Sequence, residues 1–250
     1  AIILRSMVTI NDVTGSWQDS LLWFSGITLV LTIAWLLVEF PTVAEPKPAQ
    51  TDAVEETPTA TYSYVDGFKD RFTWAYALCY SGLLAFYICL FTFYPKAGIS
   101  QSSYVIWFGI IGTIAGMIYS KNIKQRVPII RWSGLMVTAM VIVLSFTSVE
   151  WVQVVSAMLL GFFVFFPVTA LVSIPHELPG MNGDKITVIF SLFWSISYLI
   201  ATVVLWLFGK LVDLNFGDFT ASFILIAIVS SSFYLGSFFL PETNVRQSKL

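Results

Sequence analysis

Seven stretches of this chain run for 17 to 23 residues without one Asp, Glu, Lys or Arg: Ser20–Val38, Phe72–Phe93, Ser103–Tyr119, Trp132–Ser148, Val152–Val172, Ile186–Phe208 and Phe219–Leu240. A hydrocarbon layer about 30 Å thick is crossed by a helix of about 17 to 25 mostly apolar residues. Each stretch therefore has the length and composition of one crossing. The other structure that satisfies its backbone in lipid, a closed barrel, needs strands of about 10 residues with alternating apolar and polar positions. Runs such as LLGFFVFFPVTALV do not alternate. The expected fold is all-α, a polytopic membrane helix bundle.

Composition agrees. Of 250 residues 57% are hydrophobic and 11% charged, with mean hydropathy +0.80, whereas a soluble domain carries about 25% charged residues. A soluble enzyme, a nucleic-acid partner and a disordered chain are excluded on that ground. The 13 basic and 15 acidic residues leave a net charge of -2, so no global field selects a charged partner. Cys79 and Cys89 lie ten residues apart in one apolar run, roughly 15 Å along a helix axis, too far for a disulfide. Ala1–Ile10 has neither an initiator Met nor the basic and cleavable parts of a signal peptide. The chain is accordingly expected to begin partway through a longer protein.

Basic residues collect on the cytoplasmic side of short membrane loops. With the first run crossing inward, the inner segments hold Lys47, Lys69, Arg71, Lys121, Lys124, Arg126, Arg131, Lys185, Arg246 and Lys249, and the outer ones only Arg5, Lys96 and Lys210. Ten against three places the carboxyl terminus in the cytoplasm, in a multi-pass protein of the plasma (inner) membrane. Residues 41–71 break the composition, and their Pro, Thr, Glu and Ala content reads as a flexible cytoplasmic linker. It separates one helix, with an external loop in residues 1–40, from six helices in residues 72–250.

That one-plus-six division resembles the major facilitator superfamily: the carboxyl-terminal half of such a transporter, preceded by the last helix of its amino-terminal half. Trp17-Gln18-Asp19 leading into a run that carries Trp35, the long central loop, Gly209-Lys210-Leu211-Val212-Asp213 and the ending Pro241-Glu242-Thr243 are similar to features of that family. The turn GTIAGMIYSKNIKQRVPIIRWSGL resembles its basic gating loop, and the basic residues Lys121, Lys124, Arg126 and Arg131 fall on it. Tyr119 and Ser120 stand where members often have an acid. The stretch HELPGMNGDKITVIFSLFWSISYLI resembles the cyanate transporter branch. The resemblance implies secondary active transport of a small solute, such as a small anion, by alternating access. The partners it implies are the bilayer, the missing amino-terminal half and a coupling ion such as H+, with no cofactor and no enzymatic reaction.

Substrate contacts in such an architecture lie near the bilayer midplane on inward-facing stripes. Thr187, Ser191, Ser195, Tyr198 and Thr202 recur at helical spacing on one face of the sixth run, with Trp194 adjoining, and Tyr76, Tyr80 and Tyr87 do so in the second. Tyr80, Tyr87, Ser191, Trp194, Ser195 and Tyr198 are the candidate substrate-cavity residues. The plainer reading of the hydroxyls is self-satisfaction on the carbonyl four residues back. Gly161 and Pro167 are the candidate kink, and Pro167 frees the Phe163 carbonyl. Gly112 and Gly116 form a small-xxx-small pair that fits close helix packing. The charges at the run ends, among them His176, Glu177, Asp213 and Asp218, read as solvated. One His and two distant Cys cannot complete a metal site.

Two other functional classes have apolar runs of this kind. A heptahelical receptor would end its third run in an acidic-Arg-aromatic triplet and a retinal protein would carry a Lys in its last, yet this chain has IYSK and no Lys there. A membrane scaffold without transport activity is the remaining alternative.

Overall fold

The computed structural model describes residues 17–36, 62–123 and 125–243, all of whose regular structure is helical. Residues 41–61 of the expected linker, Lys124 and residues 244–250 lie outside the described residues. The chain divides into two units, residues 1–60 and 61–250. In the first, α1 covers Trp17–Leu36 and so most of the first expected run.

The second unit contains six apolar helices long enough to cross a membrane, which makes the protein an integral, multi-pass helix bundle. They are α3 (Arg71–Thr92), α4 (Ser102–Asn122), α5 (Val127–Phe146), α6–α7 (Glu150–Phe165 and Val168–Glu177), α8 (Gly183–Leu214), and α9–α10 (Thr220–Ser230 and Ser232–Gly236) closed by a 3-10 turn over Ser237–Phe239. Every expected run from the second to the seventh falls on one of them.

The linker reading needs a correction at its end. Short helix α2 (Tyr64–Lys69) precedes α3, because Ser63 and Asp66 form a reciprocal capping box. Gly67 lets the backbone of α2 sit against Leu192 and Val188 of α8. Asp70 then caps α3 through Phe72 N–H at 2.9 Å, accepts from the Tyr62 hydroxyl at 3.3 Å, and lies 4.0 Å from Lys185 Nζ. Burial first, and then the Asp70 carboxylate, push the Tyr62 hydroxyl up to about 12, so it stays a donor.

The helices pack in a pattern that survives an exchange. α4 lies against α6–α7 as α8 lies against α3; α5 lies against α6–α7 as α9–α10 lie against α3; and α5 meets α9–α10. Swapping α3–α5 for α6–α10 therefore returns the same set of main contacts. One contact departs from the rule: α8 also packs on α9, which α4 and α5 do not match to the same extent.

Lipid tails are as apolar as Leu, so helices in a membrane associate through van der Waals contact and need small residues to come close. A Cβ on Gly112 or Gly116 would overlap the carbonyl oxygens of Phe162 and Phe166, as the small-xxx-small pair predicts. Gly161 answers from the other side, where a Cβ would overlap the Val105 carbonyl. The α4–α6 crossing is thus glycine against backbone in both directions. Gly82 meets Val229, Gly236 meets Cys79 and Gly134 meets Tyr234 in the same manner.

At the candidate kink, α6 runs unbroken through Gly161, where the glycine is needed for close approach to Val105. The break falls at Phe166–Pro167, where α6 ends and α7 begins, because Pro167 has no N–H for the Phe163 carbonyl.

Gly112→Ala and Gly116→Ala should each lower stability by about 1–3 kcal/mol, the usual cost of overpacking. Gly209→Ala, whose Cβ would come no nearer than 3.8 Å to Phe93, should leave it unchanged or raise it. Thermal unfolding of the protein in detergent measures all three, and equal melting temperatures would contradict the packing argument.

Candidate functional site

The exposed faces of α4 and α8 differ in kind. On α4 the exposed side chains in the middle of the helix are Trp107, Ile110, Ile111, Ile114, Met117 and Ile118, with Tyr104 and Tyr119 near its ends. That is the pattern of a lipid-facing helix with interfacial aromatics. On α8 the buried face is apolar, with Ile189, Phe193, Ile196 and Phe208 turned toward the bundle. Its exposed face carries Thr187, Ser195, Tyr198 and Thr202, with Ser191 half-buried at its margin and the exposed apolar residues Leu199, Val203, Trp206 and Leu207 alongside.

The hydroxyls on that face are locally satisfied. Thr187 donates to Gly183 O at 2.9 Å, Ser191 to Thr187 O at 2.9 Å, Ser195 to Ser191 O at 2.8 Å and Thr202 to Tyr198 O at 2.8 Å. Self-satisfaction on the preceding turn therefore holds for four of the five. It leaves the hydroxyl lone pairs outward as acceptors.

An aromatic cluster joins the stripe. Trp194 packs edge-on to Tyr80 of α3 with ring centroids 5.6 Å apart, and Tyr198 lies 6.0 Å from Trp194. Phe193 backs both, 5.2 Å from Tyr80 and 5.1 Å from Trp194. Trp194 is 41% exposed and Tyr198 52%, and the uncharged run Ile186–Phe208 is centred beside them. Amphipathic aromatics belong at the two membrane interfaces. Three of them with exposed surface halfway along a span, beside a row of hydroxyls, form a surface poorly suited to lipid tails.

Five of the six candidate cavity residues come together here: Tyr80, Ser191, Trp194, Ser195 and Tyr198. Tyr87 does not. It faces α6, with its ring 5.5 Å from Phe165 and 5.0 Å from Phe91. Tyr76 is fully buried and donates to Leu171 O at 3.0 Å, tying α3 to α7.

At one end of the bundle the basic turn after α4 closes a charged network. Arg126 meets Glu177 side-on, with Nη2 to Oε1 at 2.7 Å and Nε to the two carboxylate oxygens at 3.1 and 3.2 Å. Its Nη1 donates to Ser120 O at 2.6 Å and Ile123 O at 3.0 Å. Its backbone N–H donates to Glu242 Oε1 at 2.8 Å, and the Thr243 N–H binds the same oxygen at 3.1 Å. One arginine thus joins the ends of α4, α5, α7 and the last helix. Glu177, expected as a solvated terminal charge, is a partner in this network, because chain crossing brings it to Arg126 51 residues away. His176 is exposed, as expected, with its ring 5.7 Å from Phe190.

Of the other basic residues of the turn, Lys121 and Arg131 form no ion pair among the described residues. Arg131 lies 4.0 Å over the Phe238 ring, Lys121 is exposed, and Lys124 lies outside the described residues. Nothing in a local pattern marks Glu177 and Glu242 as partners of Arg126. The signal available was their shared place at the same end of alternating spans.

No protein-family model and no solved structure matches the chain. The chain is similar to the uncharacterized protein Cj0987c of Campylobacter jejuni, with 31% identity over 87 residues, 35% of this chain and 24% of that protein. The match thus spans about a quarter of the curated relative's length.

Truncating Arg126 to Ala leaves the Glu177 carboxylate without its cation, while Glu242 keeps its backbone donors. The cost should be about 1–3 kcal/mol, the range for hydrogen bonds to charged groups in a part-exposed site. The double variant Arg126→Ala/Glu177→Ala should recover part of that loss, because the unpaired charge goes too. Additive losses in thermal unfolding of single and double variants would contradict coupling between the two.

Proposed function

We propose that the chain is the larger part of a secondary active transporter that moves a small solute by alternating access, with the six-helix unit as one half of a major facilitator fold. The exposed mid-span face of α8 carries this reading. A bundle that met lipid on all sides would have no use for hydroxyls and polar aromatics at that depth, whereas a bundle that meets a second half across a solute cavity would. Tyr80, Trp194 and Tyr198 supply flat contact surface and hydrogen-bonding ends, and Ser191 and Ser195 supply acceptors.

The exchangeable packing supports the same reading. Transporters of this kind are built from three-helix repeats of inverted topology, and an in-plane twofold between repeats requires the partner swap that α3–α5 and α6–α10 allow. In this scheme α3 and α6–α7 are equivalent helices beside the axis. The Phe166–Pro167 break gives one of them a bending point, and the Arg126 network ties the helix ends at the side expected to face the cytoplasm. α1 is then the last helix of the other half, and the missing helices of that half complete the cavity.

Replacing Tyr80 or Trp194 by Ala in the full-length protein should cut solute uptake by roughly tenfold or more, the equivalent of about 1.4 kcal/mol of lost interaction. Ser231→Ala, in a hydroxyl that bonds only its own helix at Ile228 O, should stay within about twofold. Uptake by membrane vesicles carrying equal amounts of each variant makes the comparison. Equal activity of all three would remove the cavity assignment.

A further inference from the structure

A second surface feature lies away from the α8 face. α3 and α10 run antiparallel and touch tightly where Gly236 meets Cys79 and Gly82 meets Val229 and Ser232. Beyond that contact, toward the start of α3, they leave a groove of about 740 Å³. Phe72, Ala75 and Leu78 form one wall, which repeats every three to four residues as one helix face should. Leu235 and Phe239 form the other, Cys79 and Gly236 form the floor, and the walls are exposed at Leu78, Leu235 and Phe239.

The groove has one charged lining residue, Arg71, at its open end. Arg71 is exposed and has no ion pair among the described residues. The adjacent acid cannot serve it, because Asp70 is engaged by Phe72 N–H, the Tyr62 hydroxyl and Lys185. An apolar channel about 12 Å long from residue 71 to residue 79, at 1.5 Å per residue, thus ends in an uncompensated guanidinium at the first residue of a membrane-crossing helix. A guanidinium there matches a phosphate in charge and in fork geometry, and the channel matches a hydrocarbon chain in polarity.

We infer that the groove between α3 and α10 is a binding site for an anionic phospholipid, with an acyl chain along Ala75, Leu78 and Phe239 and the headgroup phosphate on Arg71. The site follows from membrane insertion alone and does not depend on the transport reading. It explains why a Gly236–Cys79 contact closes one end of the groove while Arg71, with no ion pair among the described residues, lies at the other. Basic groups between membrane helices hold acidic headgroups in this way.

The test is native mass spectrometry of the detergent-purified protein titrated with phosphatidylglycerol or phosphatidylcholine of matched chains. The unmodified protein should retain phosphatidylglycerol about fivefold better than phosphatidylcholine, the preference one cation near a membrane surface confers. Arg71→Gln should abolish that preference while residual binding of both lipids remains, and Lys210→Gln, at the opposite end, should keep it. Ala75→Trp, which fills the groove and leaves the charge in place, should reduce retention of both lipids. Water-soluble glycerol phosphate should not compete. Equal retention of the two lipids by the unmodified protein, an undiminished preference in Arg71→Gln, normal retention by Ala75→Trp, or full competition by glycerol phosphate would each overturn the assignment. No retention of either lipid, as when a protein segment fills the groove, would overturn it as well.

Discussion

Inside a hydrocarbon layer a backbone amide has no water to fall back on, so each crossing segment must satisfy its own N–H and C=O groups. That one requirement makes every span of this chain a helix. It also removes the usual reason for helices to gather, since apolar side chains gain nothing by leaving lipid for one another. What remains is contact, and contact improves as backbones approach. The glycines at 82, 112, 116, 134, 161 and 236 each stand where a neighbouring backbone or side chain occupies the place of a Cβ. They set the crossings, and the crossings determine which faces are left over.

Two leftover faces follow from the same packing. α4 gives its small residues to α6 and keeps its large apolar ones, Ile110, Ile114 and Met117, for the outside. α8 differs: Ile189, Phe193, Ile196 and Phe208 turn toward the bundle, and its outside mixes hydroxyls and Trp194 with Leu199, Val203 and Trp206. The two helices correspond under the exchange that relates the halves of the bundle, so their difference is not imposed by packing position. It belongs to their sequences, which is why the α8 face is the better place to seek a function under the proposed reading.

The helices were legible because charge exclusion over about 20 residues is a strong, local signal. Gly112 and Gly116 were legible for a similar reason: their spacing alone puts them on one face. The α8 stripe could be read from spacing too, but its second half, the edge-on contact of Trp194 with Tyr80, joins residues 114 positions apart and no periodicity could pair them. Tyr87 shows the limit from the other side. It shares a face with Tyr80, yet about two turns further along α3 the neighbour has changed from α8 to α6, and the tyrosine is spent on Phe165. Gly161 was not decidable from sequence, because a Gly near a Pro fits a kink and a close approach equally well until the partner helix is known.

The two ends of the bundle are held by different physics. At the end where α3 and α8 begin, ion pairs and charge-assisted bonds dominate: Arg126 with Glu177, Lys185 with Asp70, and Glu242 on backbone amides. At the other end aromatic packing is more prominent: Tyr94 meets Ser145 at 2.6 Å and Phe223, and Phe93, Phe208, Phe219 and Phe223 form a linked set of rings, with Lys96 over Phe93 and Asp218 capping Thr220 at the edge. Neutral packing of that kind changes little with its surroundings. Ion pairs that reach the surface respond to water, salt and neighbouring charge. A bundle so built is firm at one end and adjustable at the other, and the break at Phe166–Pro167 lies in the helix that ends at Glu177, so bending there would carry the carboxylate toward or away from Arg126.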